Sequence, residues 1–155
     1  YMPEAMLIFA PYVNSYRRFM NPDASPVNLA WAVDNRTVGL RVPDSAPEAR
    51  RVENRLAGSD VNPYLAIAAS LACGFLGMVE GLKPKASTVG SAYGKDVELH
   101  RHIYAAIDAM RASDAMRSML GDEFITLYTA LKDEEYREFQ EIITPWEREI
   151  LMFNV

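Results

Sequence analysis

The sequence predicts an α+β fold, with a few antiparallel strands packed with a buried apolar helix and a helical C-terminal segment. Three observations lead there. Residues 14–57 are rich in short strand-like runs cut by turn residues, residues 63–81 form one uncharged helical stretch, and residues 97–155 carry helical periodicity. A chain of 155 residues can bury a substantial core, so the whole length is read as a single unit.

The elements follow in order. Glu4 to Tyr12 suits a short helix ending near Pro11, before the polar segment Asn14-Ser15-Tyr16-Arg17-Arg18. Asn21-Pro22-Asp23 and Ser25-Pro26 punctuate a loop. Asn28 to Asp34 is nearly continuous in apolar residues, which suits a buried strand. Thr37 to Val42 alternates, with Val38, Leu40 and Val42 on one face. A turn over Pro43 to Pro47 leads to a third strand, where Arg51, Glu53 and Arg55 share a face. Asn62-Pro63 is a strong helix start, Asn as N-cap and Pro at the first helical position. The helix then runs uncharged to about Val79 and closes near Gly81. Being apolar all round, it is expected to be buried on most sides; a membrane span is the rival reading. Its many small residues, the missing basic anchors on one side and the charged strand just before it weigh against the span. A Lys/Gly/Ser-rich loop, Lys83 to Asp96, separates two layers. Helices are predicted over Val97–Arg111, Ser113–Leu120 and Glu123–Ile143, the last with an apolar stripe of Phe124, Leu127, Tyr128, Leu131, Phe139 and Ile142.

Composition narrows the function. A net charge of -5 argues against general attraction to nucleic acid or anionic lipid. One cysteine, Cys73, excludes an internal disulfide framework and suits a reducing compartment, so a cytoplasmic location is expected. Glu4 and Pro3 precede only a short apolar run, which is no secretory signal, and the opening on Tyr1 reads as a start in mid-fold.

Against this acidic background the first half is dense in arginine: Arg18, Arg36, Arg41, Arg50, Arg51 and Arg55. Same-face residues on a strand stand roughly 6–7 Å apart, so Glu53 is a carboxylate between two guanidinium groups. The bland account is a solvated ladder of ion pairs. The sharper one is a site for anionic substrate oxygens, because guanidinium recognises carboxylate and phosphate with two prongs and a carboxylate among arginines can share a metal ion with them. Other candidates are weaker. His100 and His102 stand two apart, which on a helix points them away from each other. Gly94-Lys95-Asp96 lacks the rest of a phosphate loop. Asp133-Glu134-Glu135 suits a wet helix face, and Cys73 a small buried hydrophobe.

The stretches NRTVGLRVP (Asn35 to Pro43) and ARRVENRLAGSDVNPYLAIAASLACG (Ala49 to Gly74) resemble the signature of the glutamine synthetase family, which reads approximately NRSAxxRIP and RRIExRxPDxxxNPYLAFAAxLxAG. NSYRRF (Asn14 to Phe19) is similar to the family's NSYKRL, and ALKDEEYREF and ITPWEREILMFNV are similar to its C-terminal helix and ending. These motifs lie in register along essentially the whole chain, which therefore resembles the C-terminal part of the family's catalytic domain.

The resemblance implies an ATP-dependent ligase that joins the glutamate γ-carboxylate to an amine through γ-glutamyl phosphate, with Mg²⁺ or Mn²⁺ and a homo-oligomeric, ring-type assembly. It assigns Glu53 to the metal, Arg55 and Arg18 to substrate glutamate, Arg36 and Arg41 to the transferred phosphate beside ATP, and Arg51 to ATP. The odd separation of Arg36 and Arg41 puts them on opposite faces of a regular strand, so a bulge at Gly39, or Arg36 in the preceding turn, is required. Two departures point to the γ-glutamylpolyamine branch of the family, with putrescine as a typical amine. Ala24 stands where many members carry a loop glutamate, and Leu56-Ala57-Gly58 replaces aromatic-Pro-Asp. Ammonia as the amine, a non-catalytic structural protein and a general anion-binding module are the rivals. One metal carboxylate cannot hold the ions the reaction needs, so this stretch alone is expected to be inactive.

Overall fold

The computed structural model describes residues 1–20, 25–93 and 98–154. Its centre is a short helix, α1 (Met6–Phe9), every residue of which is at most 1% exposed. Four residues are too few for helix propensity to matter, so packing holds them: each large apolar side chain removed from water contributes about 1.5–3 kcal/mol. Around α1 pack Ala66 and Ala69 of α2 (Pro63–Val79), Ile107 and Met110 of α3 (Ile103–Ala112), Met116 of α4 (Asp114–Leu120) and Ile125 of α5 (Asp122–Gln140). The arrangement is α+β, as the sequence predicts.

The start of α2 is as expected. The Asn62 side chain accepts from the Tyr64 and Leu65 amides, Pro63 fills the first helical position, and Gly81 with φ +64° closes the end. Its burial is not as expected. Only Ala66, Ala69 and Ala72 are buried, while Tyr64, Ile67, Leu71, Phe75 and Met78 form an open apolar stripe; Tyr64 is 82% exposed. Uniform apolarity cannot say which faces a helix covers within one stretch of chain, and the small residues mark the side that touches α1. Among the described residues no helix is long and apolar enough to cross a membrane.

Three strands, β1 (Trp31–Val33), β2 (Leu40–Val42) and β3 (Glu53–Asn54), form a sheet in that order. β2 and β3 are antiparallel, with Arg41 opposite Glu53, but β1 pairs with β2 in parallel, Ala32 opposite Arg41. An all-antiparallel sheet is therefore corrected to a mixed one. Alternating hydrophobicity fixes which face is buried and carries no information on strand direction. Parallel pairs ordinarily need a connection of a dozen or more residues. Here 34–39 suffices because polar side chains fold it back. Asp34 takes a left-handed conformation, φ 49°. Asn28 accepts from the Gly39 and Ala30 amides and donates to the Thr37 carbonyl at 3.1 Å.

The helical tail differs in detail. Segment 98–102 is not helical, and α3 begins at Ile103, so the predicted start at Val97 is too early; that residue lies outside the described ones, as do Gly94 to Asp96. His102 is extended and is the N-cap of α3, so the two histidines do not share its helical turns. The expected α5 stripe is also rotated. Leu127, Leu131 and Ile142 are exposed, and Ile125, Thr129 and Lys132 are buried instead. Lys132 escapes the polar reading because its ammonium bonds Glu135 at 2.8 Å and lies 4.2 Å from the centre of the Tyr12 ring. The Thr129 hydroxyl donates back to the Ile125 carbonyl.

Gly39 is required by close approach: a Cβ there would sit inside van der Waals contact of the Asn28 carbonyl oxygen. Gly39→Ala is expected to lower stability by about 1–3 kcal/mol. A denaturant midpoint unchanged from the parent would show that the Asn28 backbone yields freely.

Candidate functional site

The strand register determines the site. Because Arg41 of β2 lies opposite Glu53 of β3, its Nη1 donates to Glu53 Oε2 at 2.8 Å. Its Nη2 donates to Asp34, the residue where the chain leaves β1. One planar guanidinium thus spans two carboxylates, a bridge its fork of donors suits. Arg51 approaches the other oxygen of Glu53 at 3.5 Å from just before β3. The Arg41 hydrogen bond, reinforced by the charges of Arg51 and Arg55, holds the Glu53 carboxyl below its usual range. Its pairing is present above the ordinary carboxylate pKa and is lost only as pH falls through the lowered value, so the cluster is intact at neutral pH.

The sequence-predicted residues divide as follows. Arg51 meets Glu53, and the charge of Arg55 acts on the same carboxylate, although the regular strand covers only Glu53 and Asn54. Arg36 lies in the turn before β2, the second of the two arrangements that the spacing allowed, and is exposed there. That turn is clamped. Asn35 accepts from the Thr37 amide and hydroxyl and donates to the Gly90 carbonyl at 2.7 Å, and the Ala92 amide donates to Thr37 Oγ1 at 2.8 Å. Arg18 sits apart from the Arg41–Glu53 bridge. It donates to the carbonyls of Phe9 and of Leu56, the residue after Arg55, and its guanidinium is 4.4 Å from the centre of the Phe19 ring. Burial lowers its pKa from the usual arginine value. Ala24 lies outside the described residues.

Two participants were not identified in the sequence, Asp34 and Asn28. Asp34 is an ordinary strand-end acid until the parallel register brings Arg41 to it. Asn28 reads as a strand residue, and only its three hydrogen bonds show it setting the turn that carries Arg36.

The Nε atoms of Arg18, Arg41 and Arg55 are buried without hydrogen-bond partners. An unpartnered buried donor costs free energy, and when the group is charged the cost rises. Such groups concentrate where a ligand is to be bound. For a divalent metal the donor set is suitable but incomplete. Glu53 presents oxygen, which hard cations prefer, and its Oε1 is only weakly held; among the described residues no three His, Cys, Asp or Glu come together to hold an ion. Any ion here needs oxygen donors beyond Glu53.

Known proteins give this geometry a context. Residues 1–151 match the glutamine synthetase catalytic-domain model. A glutamate–isopropylamine ligase of a Pseudomonas species is 38% identical over 148 residues, covering 93% of this chain and 32% of that protein. The γ-glutamylputrescine synthetase PuuA of Escherichia coli K12 is 35% identical, covering 99% and 33%. A solved structure, GmaS in its apo form, superposes with a TM-score of 0.83 at 28% identity, covering 96% of this chain and 35% of that one. The chain thus spans about a third of the length of these relatives. It belongs to the glutamine synthetase catalytic-domain family.

Proposed function

We propose that the protein carrying this chain is an ATP-dependent ligase that joins the γ-carboxylate of glutamate to an organic amine. The observation that carries this is the Arg41–Glu53 bridge, flanked by Arg51 and Arg55 and set beside the clamped Arg36 turn. Family membership and the organic-amine ligases among the relatives support it.

Chemically, a free carboxylate does not acylate amines because oxide is too poor a leaving group. The ligase solves this in two steps. A γ-carboxylate oxygen of glutamate attacks the γ-phosphorus of ATP, ADP departs, and the resulting acyl phosphate is attacked at carbon by the amine. The carbon–oxygen bond then breaks, inorganic phosphate leaves with the electron pair, and the amine gives up a proton. Phosphoryl transfer demands alignment and charge neutralisation more than covalent help, and arginines supply both. In this reading Arg51 contacts ATP, Arg36 and Arg41 face the transferred phosphate, and Arg55 and Arg18 hold glutamate. Arg41 has two further tasks, since its bonds to Asp34 and Glu53 orient the carboxylate. Glu53 would ligate Mg²⁺ or Mn²⁺ together with donors from outside the chain; when bound, the ion neutralises phosphate oxygens. Covering the open stripe of α2 falls to the remainder of such a ligase, and a ring-type homo-oligomer belongs to the same reading.

Glu53→Gln in the full-length protein keeps the side-chain shape and removes the charge. It is expected to weaken divalent-metal binding and to cut turnover sharply while leaving the fold intact. Metal affinity and turnover near the parent values would make Glu53 a purely structural partner of Arg41.

Arg55→Lys is expected to reduce catalytic efficiency for glutamate about ten- to hundredfold, because one charge-assisted hydrogen bond contributes roughly 1.5–3 kcal/mol and lysine cannot form the two-pronged contact. Steady-state kinetics with glutamate and ATP varied separately check this. A defect confined to ATP would move Arg55 to the nucleotide.

The amine is expected to be organic, a polyamine such as putrescine, rather than ammonia. Leu56-Ala57-Gly58 departs from the glutamine synthetase form, and an uncharged Ala24 replaces an anion that would favour a small cation. Rates of phosphate release with ammonium and a panel of mono- and diamines decide it. Ammonium outperforming every organic amine would return the protein to the ammonia-using members.

A further inference from the structure

A second cluster of positive groups shares no residue with the Arg41–Glu53 bridge. A cavity of about 200 Å³ opens between the 3₁₀ helix Val13–Phe19, the start of α3 and the end of α5. Its polar wall consists of Tyr16, Arg17, Arg101, His102, Tyr136 and Gln140, with no carboxylate among its lining residues. Neither Arg17 nor Arg101 forms an ion pair among the described residues, and Arg101 Nε is buried without a partner. In a chain of net charge -5, two unpaired guanidiniums at one opening are not explained by general composition.

The backbone adds to this field. α3 starts at the cavity wall, and its N-cap, His102, provides no side-chain hydrogen bond to the first turn. The leading amides of this ten-residue helix therefore keep their donors, and the positive end of its dipole lies there. Tyr16 is an independent sign of a missing acceptor. It is 4% exposed, it is part of the cavity wall, and its hydroxyl is buried with no hydrogen-bond partner. A lone buried hydroxyl costs roughly 1–3 kcal/mol, so an orphan on a residue of the wall that also carries two unpaired arginines points to an absent oxygen ligand. Burial holds this phenol in its protonated, donating form.

We propose that this cavity is a binding site for a small oxyanion, of phosphate or compact carboxylate chemistry, held by Arg17, Arg101, the Tyr16 hydroxyl and the first turn of α3. Convergent guanidinium and helix-terminal amides are the usual donors for such groups, and the volume admits a phosphate or a small dicarboxylate. The ligand bridges the 3₁₀ helix that carries Arg18 to the C-terminal helices. Binding there ties Arg18's element to α3 and α5.

The test is calorimetric titration of the full-length protein with inorganic phosphate, and separately with succinate, in the absence of ATP and divalent metal. The parent and Glu53→Gln are expected to bind the same number of anions. The double variant Arg17→Gln/Arg101→Gln is expected to lose one bound anion or to bind it at least tenfold more weakly, and Tyr16→Phe, which keeps the ring, to weaken it several-fold. Preference for phosphate or for succinate identifies the source of the oxyanion, and either outcome supports the site. Parent-like binding by both the double variant and Tyr16→Phe overturns the proposal, as does no saturable binding of either anion by the parent. Because Glu53→Gln leaves this cavity untouched, failure here is separate from failure of the ligase reading.

Discussion

The ion pair between Arg41 and Glu53 requires β2 and β3 to be held in one register, and most of the surrounding geometry follows from that. Arg41 reaches Glu53 on one side and Asp34 on the other, so three strands are joined through one guanidinium. Two carboxylates are nevertheless outnumbered by the arginines of the sheet and its turn, Arg36, Arg41, Arg51 and Arg55. The local excess is positive within an acidic chain. Bringing like charges together raises the energy of the folded state, and an anion arriving there relieves that repulsion. The same arrangement that strains the free protein therefore favours binding of phosphate or carboxylate.

Such a register needs a rigid base, and the hydrophobic core supplies it from the opposite end of the chain. α1 is buried on all sides, and through the Phe9 carbonyl it receives both the Gly58 amide and Arg18. That anchors the segment just after β3. On the other flank Asn28 closes the 34–39 loop and allows the short parallel connection. Gly39 serves twice: it passes against the Asn28 carbonyl, and its own carbonyl accepts the Arg55 amide at 2.9 Å. A side chain at that position would push apart the strands that carry Arg41 and Glu53.

Much of this was legible in the sequence, and the parts that were not share a cause. Charged residues at fixed spacing declare their chemistry directly, so Arg51, Glu53 and Arg55 could be grouped before any coordinates. The N-cap Asn62 and the stop at Gly81 were equally local signals. Strand direction was not local: Val38, Leu40 and Val42 alternate identically in parallel and antiparallel pairs. Neither was the buried face of α5, where Lys132 is placed inside by Glu135 and Tyr12, a partner distant in the chain. Reading an apolar stripe assumes that lysine faces water, and that assumption fails when an anion and an aromatic ring meet it. The turn of Arg36 was legible only as a conflict of spacing, which the structure resolves by starting the strand at Leu40.

α2 shows how the polar and apolar halves of the molecule are coupled. Its inner side is lined with alanines, which let the helix approach α1 closely, and its outer side is lined with large apolar groups. Between them Ser70 donates to the Ala66 carbonyl and accepts from Asn54 at 3.0 Å. Asn54 is the neighbour of Glu53 in β3, and its other amide atom caps the turn at Leu56. The position of the site carboxylate is thus referred to a helix whose outer face is still open to water. Because exposed apolar area carries a free-energy penalty of about 25 cal/mol per Å², covering that face stabilises α2, and through Ser70 and Asn54 it also steadies the strand that presents Glu53. Stability of the helix and placement of the charge are two results of the same packing.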